Sequence, residues 1–527
     1  MKHQQHVLLT AAALTLGSSL VVSTSSSAHA APSTCEGKPV TIVATRTVTH
    51  GTEGDDVVAM EPGAWFTFDA LGGNDTICLA VGAGRSGRDP MPPSGFLDAG
   101  AGDDRVVNLT PAGSTGISTT AVLGLGSDTF RGAGIGETVF AEKQVGDFDD
   151  PYIVDPSFTG AQLDVVTGAA TVHSAAPNDG PNLDRLTFGT GAARVVLSGA
   201  MGSGASIDVT TASSASLELI RPSRLGQLAP GSVTVDNRER YVEVAGVPKV
   251  WWTGDVETFT IGHPLSWLDE PVVNFVGGPA PENVTFSDVS MGVVRLGSGD
   301  DSLTVRALSH GYVPTAADGG PGRDSASIHS MCWVLAVRLD ESTSCDAQSG
   351  TFSSFHDVVA TSNASESSTT LVGTARGERL VASGERVRVD GRGGSDEIGV
   401  DDSYSARVRA GVGADRVWAS GDDVVVRSGS GNDRIELQGT AGISPTGDAG
   451  PKQQVALGGR GNDVLLGTTS TRPDRLVGGP GKDRADGRAG RRDFCSAEVT
   501  RRCERPERVA ARSTSVISYL RYRGMHG

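Results

Sequence analysis

Eight times along the chain, two glycines one residue apart are followed two places later by an aspartate, and two places after that by an apolar side chain. The aspartates are Asp104, Asp128, Asp301, Asp324, Asp415, Asp433, Asp463 and Asp483, and alanine fills the apolar position after Asp324 and Asp483. Two weaker copies, Gly394-Ser395-Asp396-Glu397-Ile398 and Gly421-Asp422-Asp423-Val424-Val425, add Asp396 and Asp423. A chain with 71 glycines yields the Gly-x-Gly-x-Asp pattern about once by chance. Carboxylates beside glycine turns suit hard cations. Calcium takes about six to eight oxygen ligands, which turn carbonyls and carboxylates can supply together.

The spacing says which elements would hold these groups. Arg379, Arg386, Asp396, Ala406, Asp415, Asp423 and Asp433 recur at a mean step of about nine residues, and Asp56 and Asp75 stand 19 apart. Nine residues make one half-turn of a coil: a tight turn in which glycine accepts left-handed backbone angles, then a short strand. The residue two after Asp points inward while its neighbours point out. The fold expected is all-β, a right-handed parallel β-solenoid or β-roll with glycine-aspartate-rich turns. Coils stacked about 4.8 Å apart would bring Asp396, Asp415, Asp423 and Asp433 together on one edge. Such a row repels itself unless a cation lies between its rungs.

At these residues the chain resembles the hemolysin-type (RTX-like) calcium-binding nonapeptide G-G-x-G-x-D-x-U-x. The nearest copies are Gly458-Gly459-Arg460-Gly461-Asn462-Asp463-Val464-Leu465 and Gly478-Gly479-Pro480-Gly481-Lys482-Asp483. It is also similar to the calcium-binding-repeat proteins that actinobacteria export with an N-terminal signal. The resemblance implies calcium (Ca2+) held between turns, with the ten aspartates named above as ligands. It covers about 40–50% of the chain. The sequence departs from the pattern where Gly189-Thr190-Gly191-Ala192-Ala193 and Gly377-Glu378-Arg379 lack the aspartate.

The remaining features bound the function. An apolar run from Val7 to Val22 ending in Ala28-His29-Ala30 has the form of a cleaved export signal. The segments expected are a signal at 1–30, repeats at 31–140, a degenerate solenoid at 141–290, central repeats at 291–345, a C-terminal repeat roll at 346–500 and a basic tail at 501–527. A short helix is conceivable in that tail at Val516-Ile517-Ser518-Tyr519-Leu520. The whole chain carries a formal charge of −17, concentrated before the tail, which argues against nucleic acid. No stretch after the signal is apolar enough for membrane insertion. Calcium ions are the partner expected, with wall or surface glycans as the macromolecular candidates.

The six cysteines all follow the signal. In an exported chain an even count favours disulfides, and proximity suggests Cys35–Cys78, Cys332–Cys345 and Cys495–Cys503. The patch Trp251-Trp252 is expected to be buried, since strand aromatics usually belong to the core. H-E-x-x-H and G-x-S-x-G are both absent from the sequence, so the metalloprotease and lipase signatures are missing. A β-helical polysaccharide lyase or hydrolase is the rival reading. Its candidate pairs, Asp401-Asp402 and Asp422-Asp423, are adjacent residues that point to opposite faces of a strand. The expectation is therefore a non-enzymatic, secreted calcium-binding solenoid, with a solenoid that binds no metal as the remaining alternative.

Overall fold

The structure is a computed structural model that describes residues 32–506, apart from 46–47, 61–65, 80–93, 111–117, 135, 143–162, 177–181, 200–203, 221–231, 263–271, 308–312, 440–452, 470–472 and 490–491. The export signal and the tail segment 516–520 lie outside the described residues. The described residues form strands and turns, with no helix among them.

Alternation along short strands sets the layers. In Asp324–Ser330, Asp324, Ala326, Ile328 and Ser330 are buried while Ser325, Ser327 and His329 are half-exposed. Arg386–Asp390 likewise buries Val387 and Val389 between the outward Arg386, Arg388 and Asp390. A strand with one apolar face must cover it, and here the columns of strands turn their apolar faces towards one shared core. The strands stack in parallel in three columns. The first runs from Ile42–Ala44 through Val57–Met60, Thr76–Leu79 and Arg105–Asn108 to Ala316–Asp318 and Phe352–Ser353. The second runs from Phe66–Asp69 to Val499–Arg501. The third starts at Val334–Arg338 and ends at Arg505–Pro506, and a parallel bridge between Leu339 and Phe352 joins it to the end of the first. The chain is thus a parallel β-solenoid, as the repeat spacing predicts.

Columns one and two continue through 141–290 without the glycine motif, by way of strands such as Val165–Thr167, Arg185–Thr187, Ala192–Gly199 and Asn283–Ser287. One core extends from Ala44 to Ala497. It includes Phe68, Phe130, Phe259, Phe275, Phe286, Phe352 and Phe355, all fully buried. Burying a side chain of this size stabilises by about 1.5–3 kcal/mol.

Two antiparallel excursions interrupt the parallel order: Val233–Asp236 with Tyr241–Val244 and Val247–Thr253, and Val334–Arg338 with Thr343–Cys345 and Gln348–Gly350. The tryptophan pair lies on the first of these and splits between faces. Trp252 is buried, with its ring 6.3 Å from that of Phe259, whereas Trp251 is 42% exposed. Adjacent strand residues cannot both face the core, so burial holds for one tryptophan only.

All three expected disulfides form: Cys35–Cys78, Cys332–Cys345 and Cys495–Cys503. The first clips the hairpin Thr34–Cys35/Lys38–Pro39 to the first column. The second fastens the later antiparallel excursion, and the third closes the last coils. Fully paired cysteines belong to an oxidising environment.

Candidate metal centre

The glycine turns explain themselves locally. In each of the eight full motifs, the glycine four places before Asp has a φ between 89° and 122°. A Cβ on the glycine two places before Asp would strike the backbone of the coil before it. At Gly413 it would lie 1.6 Å from Gly394 O, and at Gly461 1.7 Å from Gly431 O. The turns therefore stack with no room for a side chain, and each delivers its aspartate to the same place in every coil.

That place is inside. Asp104, Asp128, Asp301, Asp324, Asp396, Asp415, Asp433, Asp463 and Asp483 are each at most 2% exposed. They do not face one another as bare charges, as the sequence had suggested. The backbone N–H of each rung donates to Oδ1 of the next: Asp396 to Asp415, Asp415 to Asp433, Asp433 to Asp463 and Asp463 to Asp483, all at 2.9 Å. Asp301 donates to Asp324 at 2.9 Å, and Asp104 to Asp128 at 2.7 Å.

The rungs form two long rows and a short third one. Asp56, Asp75, Asp104, Asp128, Asp164 and Asp184 precede strands of the first column. Glu282, Asp301 and Asp324, then Glu378, Asp396, Asp415, Asp433, Asp463, Asp483 and Glu498, precede or open strands of the second. His356, one residue before the Asp357 that pairs with both Ser325 and Arg379, fills the gap in the second row. In the short third row, Asp474 opens and Asp493 precedes a strand of the third column.

One expected ligand is not a rung. Asp423 is half-buried and faces outward, where it pairs with Arg407 at 2.8 Å. The position inside is taken by Val424, because the strand frame there is one residue out of step with the motif. Conversely, the acidic position is not lost at 377–379. Glu378 replaces the aspartate and forms the rung before Asp396, donating its N–H to Asp396 Oδ1. Glu282, Asp164, Asp184, Asp474 and Asp493 were also missed. Their shared signal is an acidic residue two before a buried apolar one, as in Asp184-Arg185-Leu186 and Asp474-Arg475-Leu476, with no glycine motif ahead of it.

The second carboxylate oxygen separates two kinds of coil. In three coils the residue four before the rung lies outside the left-handed region and its N–H caps the carboxylate: Thr52 to Asp56 at 2.8 Å, Gly278 to Glu282 at 2.6 Å and Thr374 to Glu378 at 3.2 Å; Thr468, six before Asp474, caps that rung at 2.6 Å. Where the residue four before is left-handed, as at Leu71, Gly100, Gly124, Gly297, Gly320, Arg392, Gly411, Gly429, Gly459 and Gly479, no N–H arrives. Oδ2 of Asp75, Asp104, Asp128, Asp301, Asp324, Asp396, Asp415, Asp433, Asp463 and Asp483 is then buried without a hydrogen-bond partner. A buried polar atom in that state costs about 1–3 kcal/mol, more if charged. Ten such atoms in register are a built feature.

No Lys or Arg is among the buried described residues, so no buried lysine or arginine offsets the rows. Burial accordingly raises their pKa values from 3.8: Asp104 to about 8, Asp128 and Asp396 to about 7, and Asp75, Asp301, Asp415 and Asp463 to about 6. Neighbouring rungs push the same way, while the rung-to-rung N–H bonds oppose it. The buried carboxylates can be neutralised by protons or by a bound cation, and apart from the unpartnered Nδ1 of His356 beside Asp324 the donors of the rows are oxygen, which suits calcium over zinc or copper. On the outer face, Arg379, Glu397, Arg416, Trp418, Arg434 and Glu436 line a shallow groove that none of the rows enters. No family model matches the chain, and neither does any curated protein.

Proposed function

We propose that the chain is a secreted, non-enzymatic calcium-binding β-solenoid of structural or adhesive role, with Ca2+ held between stacked Gly-x-Gly-x-Asp turns. The observation that carries this reading is the ten buried Oδ2 atoms left without a partner wherever a left-handed residue stands four places earlier. A turn that sacrifices the capping N–H in favour of an open carboxylate oxygen makes sense when a cation supplies the missing partner. The nine repeat aspartates on the rows are the ligands proposed, joined by Asp75, and Asp423 is withdrawn. Export by the N-terminal signal accords with the three disulfides. Wall or surface glycans are the macromolecular partners that an acidic, rigid rod of this kind would meet.

Calcium bound only by the folded chain adds its binding free energy to stability. Extracellular calcium sites work at about 10⁻⁴–10⁻³ M, so the full chain should melt higher in millimolar calcium than in chelator. Magnesium, which requires stricter octahedral geometry, should do much less. Replacing Asp415 and Asp433 together by Asn keeps the Oδ1 acceptors that join the coils and removes two charges. It should abolish most of the gain from that region. Identical melting of the wild-type chain in chelator and in calcium would leave a solenoid that binds no metal.

A further inference from the structure

We infer that Glu142, Asp164 and Asp184 form a second kind of cation site, built from side chains of three coils instead of from glycine turns, and that it binds Ca2+ more tightly than the turns do. It deepens the calcium reading but shares no ligand with the turn sites proposed above. The three carboxylates come from different parts of the coil. Glu142 follows the second-column strand Thr138–Phe140, and Asp164 and Asp184 precede the first-column strands Val165–Thr167 and Arg185–Thr187. Each offers an oxygen within 4.8 Å of the others. They are 5%, 0% and 2% exposed.

Two of the three are already aimed. Asp184 Oδ2 accepts from the Ser174 hydroxyl at 2.6 Å, Ser174 Oγ accepts from Asn182 Nδ2 at 2.8 Å, and Asn182 Oδ1 accepts from the N–H of Asp184 at 3.0 Å. Asp184 Oδ1 receives the N–H of Asp164 at 3.1 Å, and Asp164 Oδ1 that of Asp128 at 2.8 Å. This leaves Asp164, a member of the cluster, with an Oδ2 that is fully buried and without a hydrogen-bond partner. No buried Lys or Arg offsets the three acids among the described residues.

The donor set selects the ion. It is all oxygen, with up to three carboxylates and a hydroxyl and no imidazole or thiolate, so a hard divalent cation fits and zinc does not. Calcium–oxygen bonds of about 2.3–2.6 Å let ligands on opposite sides of the ion stand about as far apart as these do. More carboxylates and a preset framework mean tighter binding, so micromolar affinity is expected where the turns need roughly millimolar calcium. The glycine motif lapses in this stretch, so the first acidic row would end on a strong site where the repeat no longer supplies weak ones.

The experiment is a calorimetric titration of the full chain, stripped with chelator, with calcium chloride as the only ligand. The expected result is one site at least about tenfold tighter than the rest. Glu142→Gln and Asp164→Asn, each keeping the size of its side chain, should each remove that site alone, while Asp415→Asn with Asp433→Asn removes weak sites and spares it. Far-ultraviolet circular dichroism without calcium separates loss of the site from loss of the fold. Should either substitution unfold the chain, Ser174→Ala, which frees Asp184 Oδ2, must still weaken the tight site. A wild-type titration with weak sites only, or a Glu142→Gln titration identical to wild type, overturns the inference and leaves the turn sites standing. A tight site without weak ones overturns the turn sites and leaves this one.

Discussion

Gly393 and Gly394 are neighbours in one turn, yet alanine should be tolerated at the first and rejected at the second. A Cβ at Gly393 meets nothing nearer than 3.7 Å. At Gly394 φ is 97°, and a Cβ would lie 2.2 Å from the carbonyl carbon and oxygen of Arg376, one coil away. The left-handed conformation costs a residue with a Cβ about 1–2 kcal/mol. Restoring a contact of about 3.5 Å requires a shift of roughly 1.3 Å, over a quarter of the coil spacing of about 4.8 Å. A shift of that size breaks the 2.9 Å bonds from Glu378 N–H to Asp396 and from Asp396 N–H to Asp415, each a net contribution of about 1 kcal/mol. Gly394→Ala should therefore lose about 3–4 kcal/mol, and Gly393→Ala less than about 0.5 kcal/mol. Stability in a stack of coils is local, so the assay is hydrogen exchange over 377–415, with urea unfolding as the global check. If both alanine variants exchange alike, the tightly stacked left-handed turn is refuted.

Three further outcomes follow from the rows. In chelator, Asp415→Asn should melt no lower than wild type, because it removes a buried carboxylate without opening a cavity; a large loss by differential scanning calorimetry would mean that the charge itself supports the fold. Row aspartates with pKa values raised from 3.8 to about 6–8 hold more protons folded than unfolded between those limits. Calcium-free stability should then be greatest near pH 4 and fall as pH rises towards 8, read as melting temperature against pH; a rise over that range would contradict the burial. Asp423→Ala should cost at most about 1 kcal/mol, since it breaks only a partly exposed pair with Arg407, and calcium titrations of it should match wild type.

Much of this architecture was legible because period and residue type agree. Glycines that must be left-handed, an inward acid and an inward apolar residue two later recur at the length of a coil, as at Asp415-Arg416-Val417 and Asp433-Arg434-Ile435. Cysteine proximity sufficed for the disulfides because each bridge joins neighbouring coils or a hairpin to its coil. What failed was frame. Asp423 carries the look of the motif, but a one-residue offset turns it to solvent and puts Val424 inside. Rungs at Asp164, Asp184 and Glu282 were invisible to a search keyed on glycine, although the acid–x–apolar pattern was present. That the carboxylates are buried and bonded to the backbone of the adjacent coil could not be read from spacing, which places residues on an edge without saying how deep they lie. Nor could spacing bring Glu142 to Asp164 and Asp184, since they come from different columns.

The most direct measurement is anomalous X-ray scattering from crystals of the full chain grown in millimolar calcium. The account predicts peaks in the C-terminal row about 2.3–2.6 Å from Oδ2 of Asp396, Asp415, Asp433, Asp463 and Asp483, the atoms left without partners. It predicts none beside Asp423. An ordered row with its rung-to-rung bonds intact and no peak at any of these oxygens would contradict it.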